Sequence, residues 1–316
     1  MNFCTSEFIS DNTERYINTK HFLNYNMETK YRKEIKKLSP SMVIKFLGDY
    51  KEWYQSYILG IKTPNNIYFE LGTAVHEMKE NFFKDKPKND EDIKAFTTRA
   101  FNEQWNVLKN KESLKEFMKD DEELNPQGFT YDTIKEWVYD SFKVWYKEVS
   151  RVEKNQFKRT GEKELSTHLA YKWNRPVKIE EHCEMTLEDG TVVHGYIDAV
   201  YSNDNWHKAS SNLTFELVDY KTSSKSYKTV PTDYYLQLMI YASMYKSMKN
   251  KVNWVTVDYL KYAQKYLFKV TDKDIDVINQ LLMDVKEQID IILKNPEEYE
   301  NNAPKKLSLA KYLKMR

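Results

Sequence analysis

Glycine is scarce in this chain, with seven among 316 residues that include 24 tyrosines. That scarcity argues against folds that cradle phosphate in glycine-rich loops, because those loops need backbone positions open to φ > 0. Cysteine is scarcer still, with only Cys4 and Cys183. One possible pair is no disulfide framework, and two thiols cannot alone hold a four-cysteine zinc site or iron–sulfur cluster. No apolar run approaches the roughly 20 residues of a membrane span. The first residues, Met1 to Glu7, lack the basic and apolar regions of a secretory signal. A reducing, cytoplasmic compartment and no membrane partner are expected. An excess of one charge is missing too: Lys+Arg 49 against Asp+Glu 48 leaves +1. Any hold on nucleic acid must then come from local patches.

What is present suits a folded protein. Hydrophobic residues make up 41% and aromatics 15%, enough for a sizeable core and far from a disordered composition. Residues 1–38 are weakly patterned and are expected to form an irregular arm. Ser39-Pro40 then reads as an N-cap with proline at the first helical position. Met42, Val43, Phe46, Leu47, Tyr50, Trp53, Tyr54, Tyr57 and Ile58 follow at helical spacing, which predicts one amphipathic helix closed by Gly60. Further helices are expected over Phe69 to Phe83, Asp90 to Leu108 and Tyr131 to about Lys154.

The period then falls from about 3.6 to 2. Val177, Ile179, Glu181, Cys183 and Met185 alternate with Lys178, Glu180, His182 and Glu184, a strand pattern. Glu188-Asp189-Gly190 is a hairpin turn signal. Thr191 to Tyr201 and Leu213 to Lys221 are the next strands. Thr232 or Asp233 is expected to cap a helix to about Lys249, before strands over Val252 to Lys261 and Lys265 to Thr271 and a helix over Asp272 to Lys294. The division predicted is an arm (1–38), a main domain (39–300) and a lysine-containing tail (301–316). Within the main domain lie a helical part (39–175), a sheet core (176–271) and a C-terminal helix (272–294).

Asp219 and Lys221 are two apart on a strand, so a carboxylate and an ammonium share one face. Alone this is weak, because Glu34-Ile35-Lys36, Glu77-Met78-Lys79 and Asp92-Ile93-Lys94 repeat it, and each reads equally as a solvated ion pair. Asp198 adds weight, being a carboxylate inside the otherwise apolar Tyr196-Ile197-Asp198-Ala199-Val200. Such a group needs a partner or a metal. Neighbouring strands can bring Asp198 and Asp219 to a shared hard cation, Mg²⁺ or Mn²⁺; the alternative is an aspartate capping a loop. His76 lies on a helix, where a core role is the ordinary reading. Gln237 and Tyr241 lie four apart on one helix face.

In order, Leu71-Gly72-Thr73-Ala74-Val75-His76-Glu77, Gly195-Tyr196-Ile197-Asp198, Val218-Asp219-Tyr220-Lys221-Thr222-Ser223 and Tyr235-Leu236-Gln237-Leu238-Met239-Ile240-Tyr241 resemble the motifs of the RecB-like branch of the PD-(D/E)XK nuclease superfamily. The resemblance spans roughly residues 39 to 262. It implies an α/β, restriction-endonuclease-like αβββαβ core with a mixed central sheet and a large N-terminal helical elaboration. It further implies a metal-dependent DNA nuclease, with His76, Asp198, Asp219 and the Tyr220 carbonyl as metal ligands. Lys221 would orient or activate the attacking water, Gln237 and Tyr241 would support the site, and Glu80 would stand behind His76. Many relatives carry four cysteines around an iron–sulfur cluster. Here Gly48-Asp49-Tyr50 stands where the first is expected, so no cluster is predicted, and Trp53 and Tyr54 are expected to help join the two ends of the domain.

Ser223, Ser224, Lys225 and Lys228 follow the catalytic strand, placing hydroxyls and lysines where DNA phosphates would pass. Lys143, Lys147, Arg151, Lys154, Lys158 and Arg159 form a basic helical stripe, readable as a DNA track or as a solvated face. No Gly-x-x-x-x-Gly-Lys-Ser/Thr loop is present, so any unwinding falls to a separate helicase, recombinase or single-strand-binding protein. The expected activity is an exonuclease of recombination, repair or phage DNA metabolism, in the last case acting in the host cytoplasm. An endonuclease of restriction or junction-resolving type, and a DNA-binding protein that no longer cleaves, are the alternatives.

Overall fold

The computed structural model describes residues 31–32, 34–61, 67–118, 125, 128–202, 213–223 and 228–300. The expected tail 301–316 and most of the arm lie outside the described residues, as do Ser224 and Lys225. A mixed six-stranded sheet carries helices on both faces. The strands are β1 (Lys37–Leu38), β2 (Lys178–Thr186), β3 (Val192–Ser202), β4 (Phe215–Lys221), β5 (Val252–Tyr259) and β6 (Gln264–Lys269). β2 pairs antiparallel along β3, occupying one edge of it. β1 pairs parallel with Val192 and Val193 of β3, and β4 antiparallel with Ala199 to Ser202, so these two share its other edge at opposite ends. β5 runs parallel to β4, and β6 returns antiparallel. Three antiparallel-linked strands, a helix and a parallel strand reproduce the expected αβββαβ order, extended by β6.

The helices are α1 (Pro40–Gly48), α2 (Tyr50–Trp53) with a π turn over Tyr54–Ile58, α3 (Ile67–Lys84), α4 (Ile93–Leu108), α5 (Glu112–Phe117), α6 (Tyr131–Thr160), α7 (Lys163–Asn174), α8 (Thr232–Ser247), α9 (Asp272–Lys294) and α10 (Pro296–Tyr299). On one face of the sheet α1, α2, α8 and α9 bury Phe46, Trp53, Leu238, Met244, Leu282 and Ile289. On the other, α3, α4, α6 and α7 bury Phe82, Phe96, Phe142 and Tyr171. Each such side chain contributes roughly 1.5–3 kcal/mol on leaving water. α8 is buried almost all round, which suits a helix trapped between the sheet and α1 and α9.

Several expectations need correction. The single helix over 39–60 is broken, because Asp49 leaves helical geometry and its side chain accepts from the Glu52 N–H, starting a new helix. β1 lies inside the supposed arm. α6 runs on to Thr160, where Gly161 at φ +72 stops it, and the short α5 and α7 had no strong periodic signal. α8 is not capped by Thr232 or Asp233; Pro231 precedes it, with its carbonyl accepting from Tyr234 and Tyr235. The two ends of the domain are joined through Tyr54, as expected, and through Tyr50, which was not singled out. The Tyr54 hydroxyl donates to the Pro296 carbonyl at 2.7 Å and that of Tyr50 to Tyr299 at 3.1 Å.

Strict alternation also fails on β2 and β3, at the same level. Cys183 and Met185 of β2 pack in the α8 core, whereas Ile179, an even number of residues away, packs in the α3–α6 core. On β3, Ile197 and Val200 share the α8 core while Ala199 and Tyr201 face the other. The phase therefore slips by one residue at Glu180 and at Asp198, which fall opposite each other between the flanking pairs Ile179↔Ala199 and Glu181↔Ile197. Glu180 absorbs the slip with φ +49, a left-handed conformation that L residues avoid in strands.

Candidate active site and metal centre

The slip turns two carboxylates toward α3. Asp198 lies between Ile197 of the α8 core and Ala199 of the other core; its Oδ2 accepts from the Tyr220 backbone N–H at 2.6 Å and lies 3.6 Å from His76 Nδ1. Beside them stands Glu180, and one ligand atom each from His76, Glu180 and Asp198 fall within 4.8 Å of one another. Glu180 was not singled out in the sequence. Its pattern assigned it to a solvent face, and nothing short of the left-handed φ reveals that it turns inward.

The electrostatics are those of an acidic centre. Burial raises the Glu180 carboxyl above its ordinary range, and the charges of Asp198 and Glu80 push the same way. Glu80, on the next turn of α3, is itself paired with Lys84. Burial pulls the His76 imidazole down, but its bond and charge contact with Asp198, with Asp219 adding, leave it raised. One imidazole nitrogen and two crowded carboxylates in a partly buried pocket fit a hard or borderline divalent cation.

Asp219 stands outside that trio but within its field. Only 3% exposed, it is raised by burial, lowered by Lys221 and raised again by Asp198. Its Oδ2 is 2.7 Å from Lys221 Nζ. The Lys221 ammonium also donates to Gln237 Oε1 at 2.8 Å and lies 4.5 Å from the centre of the Tyr234 ring. Burial opposes its charge, yet Asp219 outweighs burial and the ammonium is raised. Gln237 Nε2 donates in turn to the Tyr241 hydroxyl at 3.1 Å. Tyr241 can lie this close to the sheet because residue 195 is glycine: a Cβ there would come within 2.8 Å of Tyr241 Cε1.

Of the residues expected at the site, His76, Asp198, Asp219, Tyr220, Lys221, Gln237 and Tyr241 thus form one connected set. A cleft of about 480 Å³ opens beside it, lined in part by His76, Lys221, Thr222 and Ser223. Lys228 is exposed beyond the cleft. On the α6 stripe, Lys143 and Arg151 pair with Asp140 and Glu148 one turn away, the pattern of a solvated face.

The mixed sheet thus brings a His–Glu–Asp trio that could hold a metal ion close to an Asp–Lys pair. The family model of the PD-(D/E)XK nuclease superfamily matches residues 37–305, and the chain belongs to that superfamily. Comparison with curated proteins gives no match. Among the described residues no helix is long and apolar enough to cross a membrane.

Proposed function

We propose that the protein is a Mg²⁺- or Mn²⁺-dependent deoxyribonuclease, and that it acts as an exonuclease of the RecB-like type. The observation that carries this reading is the convergence of Glu180, Asp198 and His76 within ligand distance of one another, beside the Asp219–Lys221 pair. His76, Glu180 and Asp198 would hold the cation, with Asp219 completing the negative charge. When bound, the ion lowers the pKa of a water and offsets charge on the scissile phosphate.

The chain's own groups do the rest. Asp198 is fixed by the Tyr220 N–H, which holds its Oδ2 beside His76 Nδ1. Lys221, whose ammonium Asp219 favours, orients the water and stabilises charge that develops on the phosphate. Gln237 holds that ammonium in place through its carbonyl, and Tyr241 fixes the Gln237 amide. Exonuclease action follows from the likeness of the His76, Asp198, Asp219–Lys221 and Gln237–Tyr241 motifs to the RecB-like branch.

Incubation with linear and covalently closed DNA, with Mg²⁺, Mn²⁺ or EDTA, tests the reading. Linear DNA is expected to be degraded from its ends and closed circles spared, with EDTA abolishing the reaction. Glu180→Gln and Asp219→Asn are each expected to lower the rate by at least about a hundredfold, a change typical of groups that stabilise a transition state. Unchanged cleavage by both variants would sink the site assignment, and cutting of closed circles would move the protein to the endonucleases.

A further inference from the structure

A second cavity, of about 140 Å³, is lined from α3, α6 and the β5–β6 end of the sheet, and it shares no lining residue with the cleft beside the centre. Phe83 of α3 and Val144, Trp145 and Val149 of α6 give it apolar walls, while Lys79, Asp258 and Lys265 bring charge to it. None of these charged groups has a part in the proposed hydrolysis.

The charges do not balance at its inner end. Asp258, 3% exposed, pairs with Lys265 at 3.5 Å, and Glu148 pairs with the exposed Arg151 at 3.3 Å. Lys79 is as deeply buried, yet it forms no ion pair among the described residues, and Asp258 acts on it only from a distance. Of its three N–H donors, one makes a long bond of 3.4 Å to the Ser141 hydroxyl. A buried cation without a counter-ion in contact is costly, and one negative charge from a ligand would offset it.

The class of anion follows from what the walls offer. The Ser141 hydroxyl already donates to the Val138 carbonyl and the Trp145 indole N–H to that of Asn174, each at 2.8 Å. Few donors are left for a phosphate, whose several oxygens all accept hydrogen bonds. An apolar cavity of about 150 Å³ is known to take a body the size of benzene. One negative charge and a short apolar body together describe a small monocarboxylate.

We infer that this cavity binds a small organic monocarboxylate, with its carboxylate on Lys79 and its apolar body against Phe83, Val144, Trp145 and Val149. Saturation-transfer NMR of butyrate with the full chain in EDTA reads the binding, the EDTA keeping carboxylates off any metal at the centre. Butyrate is expected to saturate with a dissociation constant in the millimolar range, as so small a ligand allows. Lys79→Met should weaken binding at least about tenfold, the loss of a charge-assisted hydrogen bond. Val144→Trp, which fills the cavity from its exposed rim and leaves the charge in place, should do the same. Asp219→Asn, at the metal centre, should bind as wild type does. Absence of saturation up to about 50 mM would leave the cavity to water and overturn the inference. Butyrate binding unchanged in either cavity variant overturns it as well. So does equal affinity for inorganic phosphate, which lacks the apolar body, or for butanol, which lacks the charge.

Discussion

Two buried ammonium groups lie on opposite sides of strand β4, and they are held in opposite ways. Lys221 projects toward α8, where Asp219 and Gln237 receive it. Lys79, 4% exposed, approaches the strand from α3, with its Nζ 5.2 Å from the Tyr220 ring, 4.8 Å from Phe142 and 5.9 Å from Phe83. Its hydrogen bond to a side chain is a long one, 3.4 Å, to Ser141. Burial works against the charge of both. For Lys221 a carboxylate in contact overrides it; for Lys79, Asp258 offsets it only in part and burial wins, leaving its pKa at about 8. Residue type therefore decides little inside this protein, and the partner at contact distance decides the charge state.

The largest test of that contrast exchanges the two lysines for methionine in turn. Lys221→Met is expected to reduce DNA cleavage by about a hundred- to a thousandfold, the loss of a donor aimed at a developing charge. Lys79→Met should keep cleavage within about tenfold, measured as initial rates on linear DNA. Equal losses would break the distinction between the two sites.

Stability against pH separates them next. Below pH 8 Lys79 is charged in both folded and unfolded chains, and its burial penalty is complete. Between about 8 and the 10.5 of an exposed lysine, the folded chain sheds the proton that the unfolded chain keeps, so stability rises with pH. The rise is about 3 kcal/mol when complete. Urea unfolding in EDTA from pH 7 to 10 should show Lys79→Met more stable than wild type at pH 7, with the gap closing as pH increases. A constant gap would mean that the ammonium is not paying a burial penalty.

The smallest effect concerns what holds Lys221 in place. Gln237→Leu removes one hydrogen bond from the ammonium but leaves Asp219, so cleavage should fall only about tenfold, with metal affinity by titration calorimetry unchanged. A loss as large as that of Lys221→Met would make Gln237 a direct participant.

Sequence periodicity carried the fold a long way, because α6, α9 and the β2–β3 hairpin each repeat their apolar positions over many residues. It failed where a local event breaks the repeat. Asp49 interrupts the first helix with a single cap, and Glu180 shifts two strands by one residue without any glycine to announce it. The same shift hid Glu180 from the site, since alternation assigned it outward with Lys178 and His182. Asp198 stood out because charge inside an apolar strand demands a reason, whereas Asp219 and Lys221 alone matched a pattern that three other stretches repeat. Gln237 and Tyr241 were legible only through their likeness to known motifs, since a polar pair on an otherwise buried helix signals nothing by itself.

The tyrosines that close the domain give to main-chain oxygens. Tyr50 and Tyr54 donate to carbonyls of α10, at Tyr299 and Pro296. Any amino acid supplies a carbonyl, so the receiving segment is free to drift in sequence while the donors are not. A closure of this kind is asymmetric: its two hydrogen bonds depend on the side chains of Tyr50 and Tyr54 at one end and on backbone alone at the other.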